Sequence, residues 1–234
     1  MANTKKRNLA VRVTDSEQVW GFVYLLICLF ILPSFLQWMN GFLPIPLSSI
    51  WINLIYFVLN FCFILWIFRG FFRRCLMQIA RNVPDFLLAV TVGFAVYWLC
   101  NFGLAQLVKH VFPNYANLND GAIAGMAHSN FLVSFIGTVF LVPIAEEALH
   151  RGLVFGALYP KNHVIAYILS AAVFAAVHIM GYIGSYEPLH LALAFVQYIP
   201  AGLILAWAYR KSGSIFASVL IHMVINAASM FSLR

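Results

Sequence analysis

Seven stretches of this chain are apolar for long enough to cross a hydrocarbon layer, and no other feature of the sequence limits its fold as tightly. A bilayer core of about 30 Å requires roughly 20 predominantly apolar residues in a helix. Runs of that kind fall near Trp20 to Trp38, Ile50 to Phe68, Asp85 to Val108, Phe131 to Ala157, His163 to Tyr182, Leu189 to Tyr209 and Ser214 to Phe231. With 63% hydrophobic and 9% charged residues and a mean hydropathy of +0.90, the chain does not fit a soluble domain of 234 residues. The expected fold is all-α: a polytopic membrane helix bundle of about seven transmembrane helices.

Basic residues orient that bundle. Lys5, Lys6, Arg7 and Arg12 precede the first span, Arg69, Arg73, Arg74 and Arg81 follow the second, and both groups are expected in the cytoplasm. Alternation sets Lys161, Arg210 and Lys211 inside too, so eleven of fourteen Lys and Arg lie on one side against Lys109 and Arg234 on the other. Topology thus accounts for the net charge of +7, with attraction to anionic lipid as a second effect. No basic face of the kind that grips nucleic acid is present, and nucleic acid is not an expected partner. Cys28, Cys62, Cys75 and Cys100 are dispersed without a Cys-x-x-Cys pair and read as free thiols. The first apolar run is long and lacks a small-residue cleavage pattern, so it is expected to be a retained helix. Lys109 to Asn130, with Pro113, Asp120, Gly121 and Gly125, reads as an outer loop or shallow re-entrant segment. It divides residues 1–129, which carry little chemistry, from residues 130–234, the two forming one integral membrane unit.

All the unusual intramembrane residues lie in the last four spans. A charged residue at a helix centre costs about 2.5 to 3.5 kcal/mol to insert, so Glu146, Glu147 and Arg151 in one span need a polar neighbourhood supplied by other helices. Glu147 and Arg151 are four apart and share a helix face, whereas Glu146 is turned about 100° away. Two carboxylates against one guanidinium leave an acid over, as a general base would require; structural pairing of both with Arg151 is the alternative. Pro143 removes a backbone donor and is expected to free the carbonyl of Val139, loosening the helix beside Glu146. Gly152 and Gly156 suit close helix packing. Phe174 and His178 share a face on the next span. His222 and Asn226 share one on the last, either as an oxyanion-stabilising pair or as a clamp between helices.

At these residues the chain resembles the CPBP intramembrane proteases, which include the type II CAAX prenyl endopeptidases and Abi-like bacteriocin-processing or immunity proteins. The match is to Glu-Glu-x-x-x-Arg as Glu146, Glu147 and Arg151, to Phe-x-x-x-His as Phe174 and His178, and to His-x-x-x-Asn as His222 and Asn226, over roughly residues 130 to 230. The resemblance implies hydrolysis of a peptide bond in a membrane-associated peptide or lipidated protein. Glu146 would activate water, His178 would position or deprotonate it, and His222 with Asn226 would stabilise the oxyanion. Glu147, Arg151 and Phe174 would support them. No cofactor is favoured, and zinc held by Glu146, His178 and His222 is the alternative. His150 departs from the family pattern and adds an imidazole four residues from Glu146.

At 1.5 Å per residue the span boundaries place Glu146 about 16 Å, His222 about 12 Å and His178 about 22 Å from the cytoplasmic edge. The expectation is an integral membrane protein, in the plasma membrane if bacterial, with a cytoplasmic N-terminus and a site facing the cytoplasm. Two other classes share these residues: a small proton-coupled transporter and a catalytically silent scaffold or immunity protein.

Overall fold

The computed structural model describes residues 10–232, and every regular element among them is helical. In chain order these are α1 (Asp15–Asn40), α2 (Ser49–Arg81), α3 (Val83–Val111), α4 (Leu118–Ser129), α5 (Phe131–Leu158), α6 (His163–Met180), α7 (Pro188–Ser212) and α8 (Ile215–Ser232). All but α4 are long and apolar enough to cross a membrane. Lys5, Lys6, Arg7 and Arg234 lie outside the described residues.

The seven spans follow the seven apolar runs, with two differences. The second run continues as helix through the arginines to Arg81, broken at Phe68 (φ −101°, ψ 16°). Near the break, the Phe71 N–H donates to Glu17 Oε1 at 2.7 Å, and the same carboxylate pairs with Arg74. A Cβ on Gly70 would stand 2.9 Å from Glu17 Oε1, so a larger residue here would make the Glu17 carboxylate shift from its contacts. The second difference is α4, a helix where a loop or re-entrant segment was expected. Asn117 starts it by accepting from the N–H groups of Asn119 and Asp120, and Gln197 Oε1 holds the segment to α7 by accepting from Tyr115 and Asn117 at 2.8 Å each.

The inner helix is α5. Half of its most apolar window is buried, against 11% for α3, whose large side chains face outward as lipid-facing residues do. Helix α7 packs along α6 on one side and α3 on the other. A Cβ on Gly202 would stand 2.7 Å from the Cα of Ala171, so α6 and α7 approach to backbone contact. The α7–α8 turn is made by Gly213 in the left-handed region (φ +76°). The segment before α1 reaches this turn: the Val11 N–H donates to Gly213 O at 3.0 Å and the Tyr209 hydroxyl donates to Val11 O.

Candidate active site

The chemistry starts from an irregularity in α5. Residues Ile136–Leu141 and Ala148–Phe155 are wound as π-helix, with α-helix from Val142 to Glu147 between them. The Val142 N–H donates five residues back, to Gly137 O. In that register the donor due to Thr138 O is residue 143, a proline without an N–H. Pro143 thus leaves the carbonyl of Thr138 without its donor, one residue before the Val139 carbonyl that the α-helical rule implies. Asn226 of α8 fills the gap, its Nδ2 donating to Thr138 O at 2.9 Å. Winding of this kind is concentrated at functional positions in other helices.

The two adjacent glutamates enter different surroundings. Glu147 is fully buried, bonded through Oε1 to Arg151 Nη1 at 3.0 Å and to His222 Nδ1 at 2.8 Å. Arg151 is equally buried; it lies 4.2 Å over the Phe174 ring and donates to Gly202 O at 3.3 Å. Glu146 is left without the arginine. Its Oε2 is buried, accepts no hydrogen bond, and stands 3.8 Å from His178 Nε2 and 3.8 Å from His222 Nε2. Both imidazoles have fixed orientations, because His178 Nδ1 contacts Phe174 O at 2.8 Å and His222 Nδ1 contacts Glu147 Oε1. With Nδ1 carrying the proton, His178 presents an Nε2 lone pair toward Glu146, whereas His222, held through Nδ1 on the Glu147 carboxylate, can donate toward an oxyanion from Nε2 when that nitrogen carries a proton as well.

Sequence reasoning brought Glu146, His178, His222 and Asn226 to one place, and all four line one cavity of about 560 Å³ with Phe174. It set Glu147 beside Arg151, which holds, and it missed two groups: Tyr198 stacks on His178 with ring centroids 4.2 Å apart, and Thr138 supplies the carbonyl for Asn226. His150, the departure from the family pattern, is buried with Nδ1 on Glu146 O at 2.8 Å. No motif marks Tyr198 or Thr138, although a proline five residues beyond a carbonyl is a readable cue once π winding is considered.

The cavity extends toward one end of the bundle. From the Glu146 cluster it runs past Tyr198 to Asn101, Asn117, Asn119, Asp120, Gln197 and Ser229, toward the end that carries α4. The basic connections lie at the other end. There, below Arg151, the interior is filled by Phe71, Leu153, Phe155, Tyr209 and Ile215, each 1% exposed or less. The three depths differ although α6 starts at His163 as expected; His178 nevertheless stands two residues before the helix end at Met180 with its Nε2 3.8 Å from Glu146 Oε2.

Glu146, His178 and His222 are also the donors that would hold a zinc ion. A tetrahedral zinc at about 2.0–2.2 Å from each ligand keeps ligand atoms roughly 3.3–3.5 Å apart. The carboxylate oxygen here is 3.8 Å from each imidazole nitrogen, and among the described residues no group of three or more His, Cys, Asp and Glu is close enough to hold a metal. The donor types suit zinc but the spacing is too wide for it as the side chains stand.

The family model described as Type II CAAX prenyl endopeptidase Rce1-like matches residues 128–228, an interval containing every residue of the cluster. A curated relative, the UPF0177 protein YxdF of Lactococcus lactis subsp. lactis (strain IL1403), is 31% identical over 141 residues, covering 56% of this chain and 73% of the relative. No solved structure matches the chain. The fold is that of a polytopic helical membrane protein, and the family match gives it the CAAX-protease class. The chain belongs to the Rce1-like family of type II CAAX prenyl endopeptidases, whose general activity is intramembrane proteolysis.

Proposed function

We propose that the protein is an intramembrane endopeptidase in which Glu146 activates the attacking water. The observation that carries this reading is the Glu146 carboxylate oxygen, buried without a hydrogen-bond partner and equidistant from two oriented imidazole nitrogens at the floor of a cavity. A separation of 3.8 Å is too long for a direct hydrogen bond and suits a bridging water. Glu146 takes the water's proton as its oxygen attacks the peptide carbonyl carbon, and His178 orients that water. The carbonyl oxygen becomes the oxyanion, facing His222 and the Asn226 N–H that Thr138 does not use. As the C–N bond breaks, the proton on Glu146 passes to the leaving nitrogen and the carboxylate is restored. Glu147, held by Arg151, fixes the ring of His222 much as a buried carboxylate orients a catalytic imidazole elsewhere. Were zinc bound, Glu146, His178 and His222 would be the residues to hold it, after closing from their present spacing, and it would supply an activated water.

The substrate proposed is a membrane-associated peptide or lipidated protein, and the N-terminus is proposed to be cytoplasmic from the distribution of basic residues. In that orientation the cavity opens outward, on the side opposite the cytoplasmic opening expected from span depths. A proton relay through the bilayer has no support from the packed aromatic layer beneath Arg151.

The deciding assay is cleavage of a membrane-associated peptide by the purified protein, with and without chelator. Glu146→Gln should abolish cleavage, because the amide keeps the shape but cannot accept the proton. Undiminished cleavage by that variant overturns the assignment, and activity lost to chelator and restored by zinc overturns water activation by the glutamate alone.

A further inference from the structure

The wall of the cavity between its mouth and Glu146 contains one more carboxylate, Asp120, in the first turn of α4. An acid in a helical first turn ordinarily stabilises the helix from a solvated position. Asp120 is instead half-buried, its carboxylate has no hydrogen-bond or ion-pair partner among the described residues, and desolvation pushes its carboxyl above the ordinary range with nothing to offset it. No Lys or Arg lines the cavity, whereas Asp120 and Glu146 both do. Tyr97, Trp98 and Tyr198 stand among the lining side chains, and Tyr198 stacks on His178. An acidic point with aromatic faces around it is what an ammonium or guanidinium group selects.

A second group in the same wall also lacks a partner. The Thr138 hydroxyl is buried, the residue being 7% exposed, and its Oγ1 makes no hydrogen bond. Buried polar atoms are nearly always satisfied, so this hydroxyl is placed to bond the backbone of something that enters.

We propose that Asp120 forms a specificity subsite that reads a Lys or Arg side chain of the peptide as it lies between the cavity mouth and Glu146. The proposal rests on the proteolytic reading for the identity of the occupant as a substrate, and on the cavity alone for the preference itself. The peptide enters along α4 with its basic side chain against Asp120 and its backbone passing Thr138 toward His178 and Glu146.

The test separates recognition from chemistry. A short apolar fluorescent peptide bearing one lysine, and its norleucine twin, are titrated by anisotropy against the detergent-solubilised Glu146→Gln protein. The lysine peptide should bind about 10- to 100-fold more tightly, the range for a hydrogen bond between charged groups. Adding Asp120→Asn, which is isosteric, should bring the ratio close to one, and Asp120→Lys should invert preference toward a glutamate peptide. Gln197→Ala, which unpins α4 without removing charge, should weaken both peptides and leave the ratio intact; a thermal melt of each variant verifies folding. Equal binding of the two peptides, or a lysine preference that survives Asp120→Asn, overturns the subsite. A preference that Asp120→Asn removes, in a protein whose wild type cleaves neither peptide, upholds the subsite and removes the proteolytic reading.

Discussion

Glu146 and Glu147 are neighbours in sequence with opposite relations to the protein around them, and the same substitution should separate them. Glu147→Gln leaves the Arg151 guanidinium buried with no counter-charge, and breaking a buried pair from one side costs about 3–5 kcal/mol. Glu146→Gln removes a carboxylate that pairs with no arginine, and its effect on stability should stay within about 1 kcal/mol. Thermal melting in detergent reads the difference: a large drop for Glu147→Gln and little change for Glu146→Gln, with equal drops refuting the division of labour. This much was legible from spacing, since four residues place Glu147 under Arg151 and 100° of rotation sends Glu146 elsewhere. The partner of Asn226 was not legible. It depends on which carbonyl Pro143 leaves free, and that depends on a winding that residue spacing does not reveal.

Among the elements, α5 is where sequence rules fail most instructively, because its two π segments displace hydrogen-bond partners by one residue. Asn226→Ala should leave the Thr138 carbonyl unsatisfied, costing about 1–3 kcal/mol, and should lower the rate of cleavage by about 10² to 10³ through loss of an oxyanion donor. Pro143→Ala restores an N–H that can serve the same carbonyl. The two substitutions should therefore be non-additive in stability by about 0.5–3 kcal/mol, and a double-mutant cycle measures this. Additive losses would mean that the side chain of Asn226 and the missing N–H of Pro143 are unrelated. In α2 the expected end at Phe68 is a break inside a longer helix, and here apolar length misled: the arginines that leave the hydrocarbon remain helical. Gly70→Ala should push Glu17 off the Phe71 N–H and Arg74 at a cost of about 1–3 kcal/mol, read as a lowered melting midpoint. The helix α4 was hidden by its Asn, Gly and Asp, which signal loops unless a cap and a docking partner such as Gln197 are known.

For the whole molecule, the seven spans were legible because length and hydropathy alone decide which segments can cross a membrane, whereas the cavity was not, since its lining comes from side chains of several helices far apart in sequence. With the N-terminus inside, a cysteine introduced at the exposed Asn114 should react with a membrane-impermeant thiol reagent added to intact cells, above the background of Cys62 and Cys100. Protection of that cysteine until the cells are opened would reverse the orientation and turn the cavity toward the cytoplasm. The clasp between Val11 and the α7–α8 turn carries a consequence in time. Its two halves are separated by almost the whole chain, so during synthesis the first segment reaches the membrane long before Gly213 exists to receive it. His222 is made later still, and without it Glu147 has no imidazole to orient. A nascent chain thus crosses the insertion machinery with the proposed centre unassembled, and the cluster can form only after α8 has followed the turn that receives Val11.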